Sequence, residues 1–409
     1  MTSASTPTLA EQTAQYLLDV TAKREPYALL DELRDREPVH QTAAGTWIVS
    51  DYALCVAGLR DARLSRSAAV AREVDIMLDD GEARTVYKSR IMNQDGPNHL
   101  RLRRLLTGTF SIPAVAAWRP AIEQTVDELF DAVVPLRSGD FARLIAYPVP
   151  EHVICSLLGV PFDDHARYEH WASIINVRPQ AGEVDDERRA RTTQAWDEFI
   201  EYLRELVQHR RHDPGDDLIS RLVTVEVDGD HLTDTEAIAV LTEVINGGHD
   251  TTANTLVNGV FMLLRHPDQL ELLRSDPSLA ASATDEVLRF RSPVQTTLIR
   301  RTTEDVELGG VTIPAESTVL FCLAGANRQP DTFTDPGHFD LTRTANRHIG
   351  FGNGQHICLG QHLARVEIEV TLAALAQRMP NLRLDADPER LTWRATTLVM
   401  APVCLPVRW

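Results

Sequence analysis

Long apolar runs are missing from this 409-residue chain. No stretch approaches the roughly eighteen consecutive apolar residues that a membrane span requires, so none is expected. Basic charge is in deficit, with 41 Lys and Arg against 59 Asp and Glu and a formal net charge of −18. That balance argues against a nucleic-acid partner, whose phosphates call for a basic surface. Basic runs, internal repeats and low-complexity tracts are absent too. Cysteine is sparse: Cys55, Cys155, Cys322, Cys358 and Cys404 are odd in number and widely spaced. Such a set does not build a disulfide framework and fits free thiols in a reducing compartment. The first twenty residues lack a basic region followed by an apolar one, so they do not read as a signal peptide, and a cytoplasmic protein is expected. No Gly/Ser-rich or Pro-rich linker divides the chain, which predicts one large domain over 26–409 behind an N-terminal segment, 1–25.

What is present reads mainly as helix. Amphipathic periodicity predicts helices at Pro26–Arg36, His99–Gly108, Ala114–Val134, Glu187–Arg211, Asp234–Arg265 and Leu359–Gln377. Strand patterning is confined to Thr46–Val49, to Thr302–Leu323 with a glycine-turn hairpin inside it, and to Thr396–Val407. The expected class is therefore mainly α with a small β region. The Asp234–Arg265 helix is long enough to cross the molecule, and Gly247-Gly248 in its middle predicts a kink. On the glycines alone, close helix packing explains that pair as well as a functional approach does.

The densest chemical signal is Phe351-Gly-Asn-Gly-Gln-His-Ile-Cys358-Leu-Gly360, with a predicted helix directly after it. The glycines permit a tight turn before the cysteine, and the following helix aims free N–H groups at the sulfur, favouring the thiolate. Three readings compete. A lone structural cysteine leaves the clustered glycines unexplained. A zinc site from His356, Cys358 and His362 lacks a fourth ligand and the usual paired spacing. A haem thiolate needs one cysteine and a flat loop beneath a planar ring, and it accounts for the segment best.

The segment resembles the cysteine loop of the cytochrome P-450 haem-thiolate monooxygenases, F-G-x-G-x-H-x-C-x-G. Three further stretches resemble that family's motifs in order: Asp95-Gly-Pro-Asn-His99-Leu-Arg-Leu-Arg103, Gly247-Gly-His-Asp250-Thr251-Thr252 and Glu286-Val-Leu-Arg289. The resemblance implies a single-domain cytochrome P-450 fold with the long kinked helix over haem b. It makes Cys358 the axial iron ligand, with Phe351, Gly352 and Gly247 beside the haem. His99, Arg103, Arg300 and His356 become the partners of the propionates, with Arg301 an alternative to Arg300. Asp250 and Thr251 become a carboxylate–hydroxyl pair that moves protons during dioxygen activation, and Glu286–Arg289 a structural ion pair. Gln329 and Glu316 depart from the family's usual aspartate and glycine, which puts only local turns in doubt.

On a helical wheel Glu243 and Asn246 fall near Gly247, so they are expected to meet a polar or basic substrate group, unless Glu243 turns to a neighbouring arginine. Gln295, Thr296, Thr297, Thr396 and Thr397 are further expected wall residues, within the family's wall segments Ser65–Asn93, Ala172–Glu187, Val294–Ile299 and Thr396–Val399; the first two read as a mobile lid. No arginine lies on the substrate side of the long helix, which favours an amide or amine over a simple aromatic acid. With no flavin or iron–sulfur motif, electrons are expected from a separate ferredoxin and reductase, docking on Arg101, Arg104 and Arg365. The expected activity is insertion of one oxygen atom of dioxygen into a secondary-metabolite intermediate. Oxidative C–C or C–N coupling or desaturation is the alternative, and a non-catalytic haem sensor stands third.

Overall fold

The structure is a computed structural model, and it describes residues 7–19, 24–160, 165–175, 185–394 and 399–409. Its axis is the 32-residue central helix Asp234–Arg265, about 48 Å long at 1.5 Å per residue. A capping box starts it: the Glu236 amide donates to Thr233 Oγ1 at 3.2 Å and the Thr233 amide to Glu236 Oε2 at 2.9 Å. His266-Pro267 ends it and opens the next helix, Pro267–Ser275. Helices Glu82–Ser89, Pro148–Leu158, Asp186–His212, Ala280–Phe290 and Gln361–Arg378 pack around it. Packing is close at Gly248, where an added Cβ would stand 3.1 Å from Ile154, and at Gly259, where it would stand 3.2 Å from Val287 and 3.9 Å from Leu372. Almost every residue from Thr252 to Leu263 is buried, whereas Asn246 to Thr251 border a cavity. The helix is continuous across Gly247-Gly248. There the Thr251 hydroxyl donates back to the Gly247 carbonyl, and Thr255 Oγ1 to the Thr251 carbonyl at 2.7 Å, the side-chain competition that bends helices.

The β region is small. A five-stranded sheet runs Val39–Gln41, Trp47–Val49, Thr318–Phe321, Arg300–Thr302, Leu64–Ser65. All its pairs are antiparallel except Trp47–Val49 with Thr318–Phe321, where Ile48 faces Leu320. Val306–Leu308 and Val311–Ile313 form the predicted hairpin, and its turn is Gly309-Gly310 with φ of +59° and +78°, the left-handed pair such a turn demands. Among the described residues of the strand expected across Thr396–Val407, Pro406–Arg408 forms, pairing Arg383–Leu384 and Ser138–Asp140; Thr396 and Thr397 lie outside the described residues. Within 1–25, Leu9–Leu18 is a helix whose Tyr16 is buried against Leu30, Leu33 and Cys322.

Candidate active site

Cys358 lies at the floor of a cavity of about 1550 Å³, larger than an ordinary small-molecule pocket of about 300–1,000 Å³. Its loop is shaped by backbone bonds: the Gly352 amide donates to Ile349 O at 2.8 Å, Ile357 to Gly354 O at 3.1 Å and Cys358 to Phe351 O at 3.0 Å. Gly352 and Gly354 take φ of +78° and +73°, and a Cβ on Gly354 would stand 2.5 Å from Leu59 O. Only glycine fits there. Burial pushes the Cys358 thiol up, while the Gly360 N–H and the charges of Arg103 and Arg365 favour the thiolate. Among the described residues no three His, Cys, Asp or Glu side chains are grouped to hold a metal ion, so His356, Cys358 and His362 do not make a zinc site.

Glu286 and Arg289, both wholly buried, tie together the segment 327–346 that leads into the loop. They pair through two 2.7 Å bonds, and Arg289 also donates to the carbonyls of Asn327, Pro336 and His338 at 3.0–3.1 Å. Glu286 accepts from Arg343, Asn346 and the Asp340 amide. A buried pair with every remaining atom bonded can hold its charges. The departures from the family spelling are accommodated: Gln329 accepts from the Tyr52 amide and donates to Asp51, and Glu316, at φ +64°, pairs with Arg301. That pairing leaves Arg300, not Arg301, on the cavity.

One wall gathers cations. The helix Gly96–Thr107, opened by Pro97, carries His99 and Arg103. The His99 ring lies 4.4 Å from the His356 ring, and neither of its nitrogens, both buried, has a hydrogen-bond partner. Burial, with the charges of His356 and Arg103, lowers its pKa to about 4. Burial likewise lowers Arg300 to about 10, against the attraction of Asp95. Arg103 donates to Ile357 O at 2.8 Å and Arg300 to Leu64 O at 3.1 Å. His356 meets Asp95 at 2.9 Å. Burial opposes ionisation of Asp95, yet bonds from His356, the Ser67 amide and Ser65 hold it well below the usual carboxylate range. Two arginines beside two imidazoles, one of them buried and orphaned, suit a bound dianion. Across the cavity, a Cβ on Gly247 or Gly360 would meet nothing within 4 Å. The residues present therefore fit a flat, doubly carboxylated ring above a thiolate.

On the wall of the same cavity, Asp250 pairs with Arg394 at 3.3 Å, and Arg394 also donates to the Tyr147 hydroxyl. Tyr147 in turn donates to Asn254 Oδ1 at 3.2 Å. The wall differs in part from the sequence expectation. Glu243 borders the cavity, and its carboxylate accepts from the Ile91 and Met92 amides at 2.9 and 2.8 Å; among the described residues no arginine bonds it. Asn246 and Thr297 line the cavity, whereas Gln295 and Thr296 do not. Gln295 is buried and accepts from Tyr16 at 3.2 Å, and Thr296 bridges Cys322. Alternation along this extended segment turns Thr296 from the face of Thr297, and Gln295 is held in the core by the bond from Tyr16. Met77, Tyr87 and Arg90–Asn93 line the cavity from one side and Ala172, Ser173 and Ile175 from another. The expected docking patch is not free: Arg101 pairs with Glu236 and Asp230, Arg104 with Asp228 and Asp230, and Arg365 with Asp285.

Three wall residues, and Asp95 behind His356, stand outside the motif assignments. Asp95 lay inside a quoted motif without a role, and no local signal marks Arg66, Arg90 or Glu367. Arg66 is buried and bonds Glu73 twice, Ile299 O and Asn93. Glu367 is buried in the helix after the cysteine, and burial lifts its pKa to about 8.

Residues 71–392 match the family described as Cytochrome P450. The chain is 37% identical to the cytochrome P450 monooxygenase PikC of Streptomyces venezuelae, over 94% of this chain and 91% of that one. It is 38% identical to the 6-deoxyerythronolide B hydroxylase of Saccharopolyspora erythraea, over 93% and 95%. The solved structure of CalO2 superposes with a TM-score of 0.89 at 32% identity, covering 96% of this chain and 97% of that one. Among the described residues no helix is long and apolar enough to cross a membrane. With its cysteine loop, buried Glu–Arg pair and cation-lined cavity, the chain belongs to the cytochrome P450 family, as an oxidoreductase of the monooxygenase kind.

Proposed function

We propose that the chain inserts one atom of dioxygen into a secondary-metabolite intermediate bearing a polar group, using haem b and electrons from a separate ferredoxin and reductase. The observation that carries this reading is His99, whose buried, unpartnered ring nitrogens stand with Arg103, Arg300 and His356 on the wall of the cavity that holds Cys358. In it, Cys358 would ligate the haem iron, and Arg103, Arg300, His99 and His356 would hold the propionates, with Phe351, Gly352 and Gly247 beside the ring. Bound haem supplies the activation of dioxygen. Asp250 and Thr251 supply adjacent carboxylate and hydroxyl groups on the cavity wall for handing in protons. Asp250 is held ready by Arg394, and the Thr251 proton points to the Gly247 carbonyl. The hydroxylase named among the relatives supports oxygen insertion as the outcome.

The test is the carbon monoxide spectrum of the dithionite-reduced protein. A strongly red-shifted Soret band is expected for the wild type, and Cys358→His should move it to the ordinary haem-protein position. An ordinary band in the wild type would overturn the reading.

A further inference from the structure

Apart from the Arg103–Arg300 cluster, several cations of the cavity wall have a carboxylate partner. Arg66 is bonded to Glu73, Arg394 to Asp250, and His249 stands 2.8 Å from Glu151. Arg90 is different. It lines the cavity with its guanidinium 5.5 Å from the Tyr87 ring and 5.9 Å from the Trp196 ring. Its Nε is buried without a hydrogen-bond partner. Among the described residues no carboxylate forms an ion pair with it. Glu243, the acid whose charge it feels, has its two oxygens on the Ile91 and Met92 amides.

Two aromatic faces hold the guanidinium plane and remove part of its water without neutralising it. A half-buried cation of this kind gains most from an anion that reaches it through the cavity. The planar fork of arginine matches a carboxylate in two parallel bonds, whereas an ammonium group would be repelled.

We propose that Arg90 is the specificity-determining anchor for a carboxylate on the substrate. The inference rests on the monooxygenase reading only in taking this cavity as the substrate site. It reverses the expectation of an amine or amide, which came from the lack of an arginine on the central helix. The anchor comes instead from the turn that follows helix Glu82–Ser89.

Phenylbutyric, phenylhexanoic and dodecanoic acids, each beside its methyl ester and the matching amine, would be titrated calorimetrically into the holoenzyme. At least one acid should bind roughly tenfold or more tightly than its ester, and the amines should bind least well. Arg90→Gln should erase the preference for the acid while leaving ester affinity within about twofold. Arg90→Lys should keep part of it, and it carries the comparison if the Gln variant loses haem. The proposal is overturned if no acid outbinds its ester, or if the preference survives Arg90→Gln. The carbon monoxide band of the same samples separates the two readings. A wild type without the red-shifted band defeats the haem-thiolate assignment, while the calorimetric preference still decides the anchor.

Discussion

Glu367 shows how one side chain can set the response of this protein to pH. It is 2% exposed, its Oε2 has no hydrogen-bond partner, and burial raises its pKa to about 8. The folded state therefore keeps a proton that the unfolded chain releases near its ordinary value of about 4.3. Stability from this group is fully present below that value and is lost as pH rises through about 8. Urea melts of the wild type should lose on the order of 5 kcal/mol from Glu367 between acid and alkaline pH. Glu367→Gln, which stays neutral, should remove that part of the decline. Equal pH slopes in the two proteins would show that the carboxyl is not protonated. The residues that sequence made legible are of another kind. Cys358, His99, Arg103 and the Glu286–Arg289 pair could be found because each sits at a fixed spacing within its own motif. Glu367 has no such frame, because its character comes from what surrounds it.

At the scale of elements, the central helix shows where local pattern stops informing. Its bounds, Asp234–Arg265, are those the periodicity predicts, because a capping box and a proline fix the two ends. The role of Glu243 is not in that pattern. Its partners, the Ile91 and Met92 amides, are some 150 positions away, and a helical wheel gives direction without saying what stands there. The same reason hid the short helices Tyr52–Arg60, Arg66–Met77 and Glu82–Ser89, which are held mostly by tertiary packing. Glu243 clamps the turn between helix Glu82–Ser89 and helix Gly96–Thr107 to the middle of the central helix. Glu243→Leu would leave two buried amides unsatisfied, at about 1–3 kcal/mol each. Hydrogen exchange should then quicken at Ile91 and Met92 before it does so elsewhere, and Glu243→Gln, which can accept only one N–H well, should fall between. Unchanged exchange at those two amides would show that the clamp does not hold the turn.

Across the whole molecule, the segment expected to precede the domain takes part in its core. Tyr16 is fully buried against Leu30, Leu33 and Cys322, and its hydroxyl reaches Gln295. Tyr16→Ala should cost roughly 3–5 kcal/mol, the range for removing a large buried aromatic, and should lower the melting temperature of the holoenzyme. A change of less than about 1 kcal/mol would mean that the helix contributes little. The cation-lined wall has the same long reach. Asp95 accepts from Ser65 and the Ser67 amide on one side and meets His356 on the other, and Arg103 donates to the carbonyl of Ile357. The two halves of this cradle are thus made by the ribosome at very different times. While the first half waits, its charged face has no counterpart, and neither helix formation nor local collapse can complete it. The cradle is therefore complete only once the cysteine loop has emerged and met a wall built some 250 residues earlier.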